Sequence, residues 1–214
     1  MFLLMIKTNL DINELKDITN LKLLLFAETH NFINDLVLQK EILKILKPKY
    51  YLYEMLEEKS ILNKEDFDSF LSKKDNINFS VISTYGELKP TIELAKENNL
   101  KVIGCDIKNM CRSNKDFLTK TSLTKEEEKT EIDILEKREK RQAKIINEYL
   151  KKDEGLIFVC LGAYHLRDDS PLFKEIRNKK YLICQPTYDG ELLFGPTQDT
   201  NKEKIEYKIE IKEK

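Results

Sequence analysis

Lys22-Leu23-Leu24-Leu25-Phe26-Ala27-Glu28-Thr29-His30-Asn31 is an apolar run that stops abruptly at a carboxylate and an imidazole, with a helical pattern beginning just beyond. A run with no polar residue inside suits a strand buried on both faces of a parallel sheet. In such sheets ligands bind beyond the carboxyl ends of the strands. Glu28 and His30 stand two apart at that end, so in extended chain their side chains point to the same side. The second of the chain's two histidines, His165, follows another run of this kind, Gly155-Leu156-Ile157-Phe158-Val159-Cys160-Leu161-Gly162-Ala163-Tyr164. Both imidazoles sit where a buried strand runs out.

Working outward, Phe2 to Ile6 reads as a short edge strand and Ile12 to Ile18 as a helical turn. Phe32, Ile33, Leu36, Val37, Ile42, Leu43 and Leu46 fit helical spacing, and Pro48 ends that segment. Tyr50 to Tyr53 is a second strand stopped by Glu54. Asn63 or Lys64 starts a short helix through Leu71, and Pro90 is placed in the first turn of a helix running to about Asn98. Lys101 to Cys105 is a third strand closed by Asp106. Ser122 to about Lys152 is one long charged helix, with Thr124 as N-cap and Glu127 three residues on. Its apolar residues thicken toward the C-terminal half, so that half is expected to pack while the first half is solvated or forms a lid. Leu156 to Leu161, a short helix Leu172 to Arg177, and Tyr181 to Cys184 follow. Ile205, Tyr207, Ile209 and Ile211 alternate with polar residues, the period of a half-exposed strand. That strand is expected to lie antiparallel at an edge or to form a hairpin with Leu192 to Phe194. Strands alternating with helices predict an α/β fold with a mainly parallel sheet. No repeat or linker divides the 214 residues, so one domain is expected.

Composition narrows the function classes. With 37 basic against 38 acidic residues the formal net charge is −1, which gives no general pull toward nucleic acid or an anionic membrane. The start Phe2 to Ile6 is too short for a signal-peptide core, and no run approaches a membrane span. A cytoplasmic protein is expected. Cys105, Cys111, Cys160 and Cys184 show no CxxC spacing, and three of them lie in apolar runs as small hydrophobes.

With the strands parallel, their polar terminators Glu28, His30, Glu54, Asp106 and His165 gather along one edge. Two imidazoles and several carboxylates there suit a divalent metal such as Zn²⁺ or Mn²⁺. They equally suit metal-free acid–base chemistry in which a Glu orients a His that activates water. Each residue also has a structural reading. Asp106 serves as a turn residue, Arg138 joins a solvated basic face, Tyr164 packs in the core, and Tyr50, Tyr51 and Tyr53 pack within their strand. Arg112 and Arg167 are exposed arginines able to steer anions.

Five motifs in order, from about residue 22 to 185, resemble the superfamily of erythromycin esterases, ChaN-like proteins and TraB/Tiki relatives. "LLLFAETHNF" is similar to its Gly-Glu-x-His opening, with Ala27 in place of the glycine. Glu54 in "PKYYLYEM" matches the Glu closing the second strand, and "ELAKENNLKVIGCDI" resembles the third-strand segment ending at Asp106. "REKRQAKII" resembles an Arg-x-x-x-x-Ala helix pattern, which selects Arg138. "VCLGAYHL" resembles a Gly-x-x-His, giving Gly162 and His165. The chain lacks room for the helical insertions some relatives carry, so its substrate is expected to differ from theirs. These relatives include metal-dependent proteases, hydrolases using Glu and His without an obligatory metal, and haem binders.

The resemblance and the residues together lead to an expected hydrolase of an ester or peptide bond. Glu28 and His30 would activate water, directly or through a metal held by His30, His165, Glu54 and Glu28. Arg138 would stabilise developing charge or fix a small-molecule or peptide substrate. The alternatives are a haem or metal carrier using the same edge, and an interaction protein or homo-oligomer pairing through helix 122–152. Carboxylate-rich strand ends argue against the haem carrier.

Overall fold

The computed structural model describes residues 7–18, 20–29, 32–80, 83–108, 122, 124–178, 180–194 and 200–213. The expected strand at Phe2 to Ile6, His30, Cys111 and Arg112 lie outside them. In chain order the elements are β1 (Lys7–Thr8), β2 (Leu23–Glu28), α1 (Ile33–Leu46), β3 (Tyr50–Tyr53), β4 (Ser60–Ile61), α2 (Lys64–Leu71) and α3 (Tyr85–Glu97). There follow β5 (Lys101–Gly104), α4 (Lys125–Lys152), β6 (Ile157–Gly162), α5 (Pro171–Glu175), β7 (Lys180–Tyr188), β8 (Glu191–Leu192) and β9 (Ile205–Glu213). Among the described residues no helix is long and apolar enough to cross a membrane.

The sheet runs β1-β9-β7-β2-β6-β3-β5-β4, with β8 paired to β7. Its centre, β7-β2-β6-β3-β5, is parallel, and β9 and β4 join antiparallel on either side. Every residue of β2 and β6 is buried, because helices cover both faces. Alternation sorts their side chains. Leu24, Phe26, Tyr51 and Phe158 pack toward Leu38 and Ile42 of α1 and Leu88 and Ile92 of α3. Leu23, Leu25, Leu52 and Val159 pack toward Ala143 and Ile146 of α4 and Leu172 of α5. On the first face the Phe158 ring stacks between Phe26 and Tyr51, at 5.7 and 5.1 Å.

The long helix begins as its sequence predicts. Thr124 and Glu127 form a reciprocal capping box, acids fill the first turn, and Lys151 and Lys152 close the last. Its buried residues are Glu139, Gln142, Ala143, Ile145 and Ile146, all in the C-terminal half. Ile132 in the outer half is 57% exposed.

Elsewhere the structure departs from the sequence reading. Pro90 is not in the first turn of α3. The helix starts earlier, at Tyr85, on a capping box between Thr84 and Glu87, and Pro90 lies inside it. An interior proline costs about 3 kcal/mol. Starting the helix at Tyr85 buries Leu88 to 1% exposure, which offsets most of that at about 1.5–3 kcal/mol for a full leucine side chain. The two-residue β4 carries too little pattern to be read from sequence. The tail strand β9 runs antiparallel along the whole length of β7, one of the two arrangements expected, with β1 outside it; the alternative hairpin onto Leu192 to Phe194 does not form.

Candidate functional site

The carboxyl ends of β3, β5 and β6 come together under α4. Glu54 opens a 3-10 turn, Glu54–Leu56, directly after β3. At the end of β5, Gly104 lets the strand approach the backbone of residues 57–59. A Cβ at Gly104 would lie 2.1 Å from the Glu57 carbonyl oxygen and 2.5 Å from that of Lys59. Only glycine permits this approach without backbone movement. Gly104 N–H donates to Lys59 O at 2.6 Å and Asp106 N–H to Glu57 O at 3.3 Å, which fastens Asp106 beside the Glu54 turn. His165 belongs to the 3-10 turn Ala163–Leu166 that follows β6. From above, α4 supplies Arg138, Glu139 and Gln142.

These groups form a buried ion network. Asp106, fully buried, accepts at Oδ2 from Arg138 Nε and Nη2 at 2.9 and 2.7 Å and from Gln142 Nε2 at 3.2 Å. Its Oδ1 accepts from Ile107 N–H at 2.7 Å. Arg138 Nη2 also lies 3.8 Å from Glu54 Oε1. Glu54 Oε2 accepts from Gly162 N–H at 2.7 Å and stands 3.5 Å from His165 Nε2. The other ring nitrogen, Nδ1, lies 3.2 Å from Glu139 Oε1. Arg167 completes the chain by donating from Nη1 and Nη2 to Glu139, and pairs with Asp169 at 2.9 Å. Burial disfavours an ionised Glu139, but the His165 and Arg167 hydrogen bonds outweigh it and hold the carboxyl below its ordinary value.

Glu54, Asp106 and His165 each offer a ligand atom, and these lie within 4.8 Å of one another, a possible divalent-metal site. Part of its chemistry fits. Glu139 at Nδ1 orients the imidazole as carboxylates orient metal-binding histidines, leaving Nε2 turned toward Glu54. Part does not. Asp106 already accepts from Arg138, Gln142 and a backbone amide, and Arg138 supplies the cation.

Glu28 is not in this group. Strand alternation turns it with Leu24 and Phe26 toward the opposite face, where Cys160 Sγ donates to its Oε2 at 3.1 Å. Burial, then the Glu28 charge, pushes the Cys160 thiol well up, so it stays protonated as a donor. Of the residues expected at one centre, the structure thus brings together Glu54, Asp106, Arg138 and His165. It places Glu28 across the sheet, and His30 lies outside the described residues. Tyr164, expected in the core, is 52% exposed, its ring edge-on to Phe194 at 5.7 Å with the Arg167 guanidinium 4.8 Å from its centroid. It faces out because the 3-10 turn gives the inward positions to Ala163, His165 and Leu166. Tyr50, Tyr51 and Tyr53 are buried, as strand packing requires.

Glu139 and Gln142 were not foreseen. A signal was present: both share a helical face with Ala143 and Ile146, at spacings of three, four and seven. Charge within a basic stretch hid it. Another buried acid, Asp35, ties the end of β2 to the tail. Its Oδ2 accepts from Thr29 N–H and Oγ1 at 2.5 and 2.8 Å, and its Oδ1 accepts from the Tyr207 hydroxyl.

A scan against protein-family models finds no match, and no curated protein matches the chain. Among solved structures, one described as "Cofacial heme binding to ChaN of Campylobacter jejuni" aligns over 94% of this chain and 90% of that one, with a TM-score of 0.56 and 14% identity. The two chains share a fold. At this identity the likeness to ChaN extends to the architecture and to nothing finer.

Proposed function

We propose that this protein binds a haem-like planar tetrapyrrole at the carboxyl edge of its sheet, as a carrier without turnover. The observation that carries the reading is the exposed Tyr164–Phe194 pair, standing beside the buried ion network in a fold shared with a haem-binding protein. Haem requires an axial donor atom, an apolar surface, and cations for its propionates. Tyr164 offers a phenol oxygen, Phe194 an apolar ring, and Arg167 a guanidinium between them and Glu139. Among the described residues the other ligand types are less available: His165 is buried between two carboxylates, and Cys105, Cys160 and Cys184 are buried thiols. Of the strand-end carboxylates that argued against haem, Asp106 is buried on Arg138, Glu54 lies 3.8 Å from the same guanidinium, and Glu28 faces Cys160 across the sheet, so all three are withdrawn from the surface. Bound haem would supply an iron centre; the chain's own residues would ligate it, cover a ring face and fix a carboxylate.

Hemin titration, followed by the Soret band, tests this with Tyr164→Phe and Tyr164→Ala beside the unmodified protein. Saturable one-site binding is expected. Phenylalanine should alter the spectrum by removing the oxygen, and alanine should weaken binding about tenfold or more. A titration that never saturates, or one that both variants leave unchanged, overturns the reading.

A second reading places a divalent metal among Glu54, Asp106 and His165, favoured by their mutual distances and by Glu139 behind the imidazole. Arg138 weighs against it as a resident cation. Ester or peptide hydrolysis draws no support from the likeness to ChaN, and the carrier reading takes precedence.

A further inference from the structure

The two ends of α4 show which way it runs. Lys152 Nζ, in the last turn, lies 5.6 Å from the ring of Tyr50, the first residue of β3, whereas Glu139 meets His165 beyond the end of β6. The helix therefore runs against the strands, and the part before Arg138 projects past the carboxyl edge. From Lys125 to Lys137 that overhang is about 20 Å long. Resting on the haem reading, we propose that the overhang is the second wall of the tetrapyrrole site, with Ile132 packed on the ring face opposite Tyr164.

Helix geometry sets the direction of Ile132. It stands seven residues before Glu139, which is about 20° short of two full turns, so both side chains leave α4 on one face, with Ile132 about 10 Å further out. That face is turned toward Tyr164. Glu139 accepts from Arg167, whose guanidinium lies 4.8 Å from the Tyr164 ring centroid, and Phe194 packs edge-on to that ring. Ile132 is 57% exposed, on a helix half whose other exposed side chains are polar or charged. A solvated helix needs no isoleucine there. One turn away on this face are Glu128, Lys129, Leu135 and Glu136. Leu135 is half-buried and carries the apolar strip inward, Glu136 pairs with Lys140 at 3.3 Å, and Lys129 offsets Glu128. The strip is apolar with no net charge, which suits a flat hydrocarbon ring. Such a ring has two apolar faces, and a phenol donor beside one aromatic ring covers a single face. Covering the other removes further apolar area from water and tightens the complex.

Hemin titration followed by the Soret band, with Ile132→Asp, Ile132→Leu and Ile211→Asp beside the unmodified protein, tests the wall. Ile211 is also exposed but lies toward the other edge, paired with Leu182 near the start of β7. Ile132→Asp should weaken hemin about tenfold or more by setting a charge against the ring. The bound spectrum should stay as it was, because Tyr164 still supplies the oxygen. Ile132→Leu and Ile211→Asp should bind as the unmodified protein does. Amide hydrogen exchange needs no substitution: saturating hemin should slow it over residues 125–137 and leave residues 205–213 unchanged. Saturable binding that Tyr164→Phe alters and Ile132→Asp leaves unchanged overturns the wall and keeps the haem reading. Unchanged exchange over residues 125–137 at saturating hemin does the same. Failure of the unmodified protein to saturate overturns both.

Discussion

Arg138 places two hydrogen bonds on one oxygen of Asp106, from Nε at 2.9 Å and Nη2 at 2.7 Å, with the carboxylate fully buried and the guanidinium side chain 11% exposed. The pair joins α4 to the end of β5, so the helix is fixed over the sheet edge by charge as well as by Ala143 and Ile146. Removing one member leaves the other charge buried and unpaired, which costs about 3–5 kcal/mol, whereas replacing both by apolar groups is often nearly neutral. Urea unfolding of Arg138→Met, Asp106→Leu and the double variant should show the double less destabilised than the sum of the singles. Additive losses would mean the two residues act independently.

The Arg138 guanidinium also bears on metal binding. While it donates to Asp106, a divalent ion would have to displace it. Arg138→Ala should therefore raise affinity for Zn²⁺ or Mn²⁺ about tenfold or more, and adding His165→Ala should reverse the gain. Elemental analysis after dialysis against either metal reads the outcome. Metal bound stoichiometrically by the unmodified protein, and lost on replacing Glu54, would show instead that Arg138 yields readily.

Glu139 makes stability depend on acid. Its folded-state pKa lies below the ordinary glutamate value, with burial opposing the shift and the His165 and Arg167 hydrogen bonds producing it. A depressed carboxyl contributes stability above its unfolded pKa, and that contribution is lost as pH falls through the folded value. Unfolding free energy should therefore fall below about pH 4.5, and part of that fall should vanish in Glu139→Gln, which is less stable at pH 7. Equal acid sensitivity in both proteins would place the acid-labile group elsewhere.

Asp35 should matter to the tail. Losing it leaves the Thr29 amide and the Tyr207 hydroxyl without this acceptor, at about 1–3 kcal/mol for each buried group. Asp35→Ala should destabilise more than Tyr207→Phe, and hydrogen exchange should quicken in β9 and at the end of β2 together.

Gly104 is where backbone contact sets the site. A methyl group there meets two carbonyl oxygens at 2.1 and 2.5 Å. Gly104→Ala should cost about 1–3 kcal/mol or more and, by moving Asp106, should lessen the penalty of Arg138→Met. An unchanged melting temperature would mean the 57–59 segment moves aside freely.

Much of this architecture was legible in one dimension because burial leaves a periodic mark. The unbroken apolar runs ending at Glu28 and His165 marked strands covered on both faces, and Thr124 with Glu127 marked the start of the long helix. The carboxyl-edge position of Glu54, Asp106 and His165 followed from the strands being parallel. Weaker signals failed where one local rule met a stronger term: Pro90 suggested a helix start that the Thr84 cap and Leu88 burial had already set earlier. The two residues of β4 hold too little pattern to show a period.

The sequence by itself determined the central strands and the long helix, that the sheet is mainly parallel, and which end of it carries the charged residues, since each follows from period, caps and terminators. Only the tertiary structure decided how those charges pair. Glu28 stands two residues before His30, yet the pleat turns it to the face of Cys160, away from Glu54. Glu139 reads as one more charge on a solvated helix until α4 lies against β6 and sets it behind His165. Tyr164 reads as core until the 3-10 turn rotates it outward to Phe194. Pairings of this kind depend on helix rotation and strand register between segments far apart in the chain, and no local pattern encodes those.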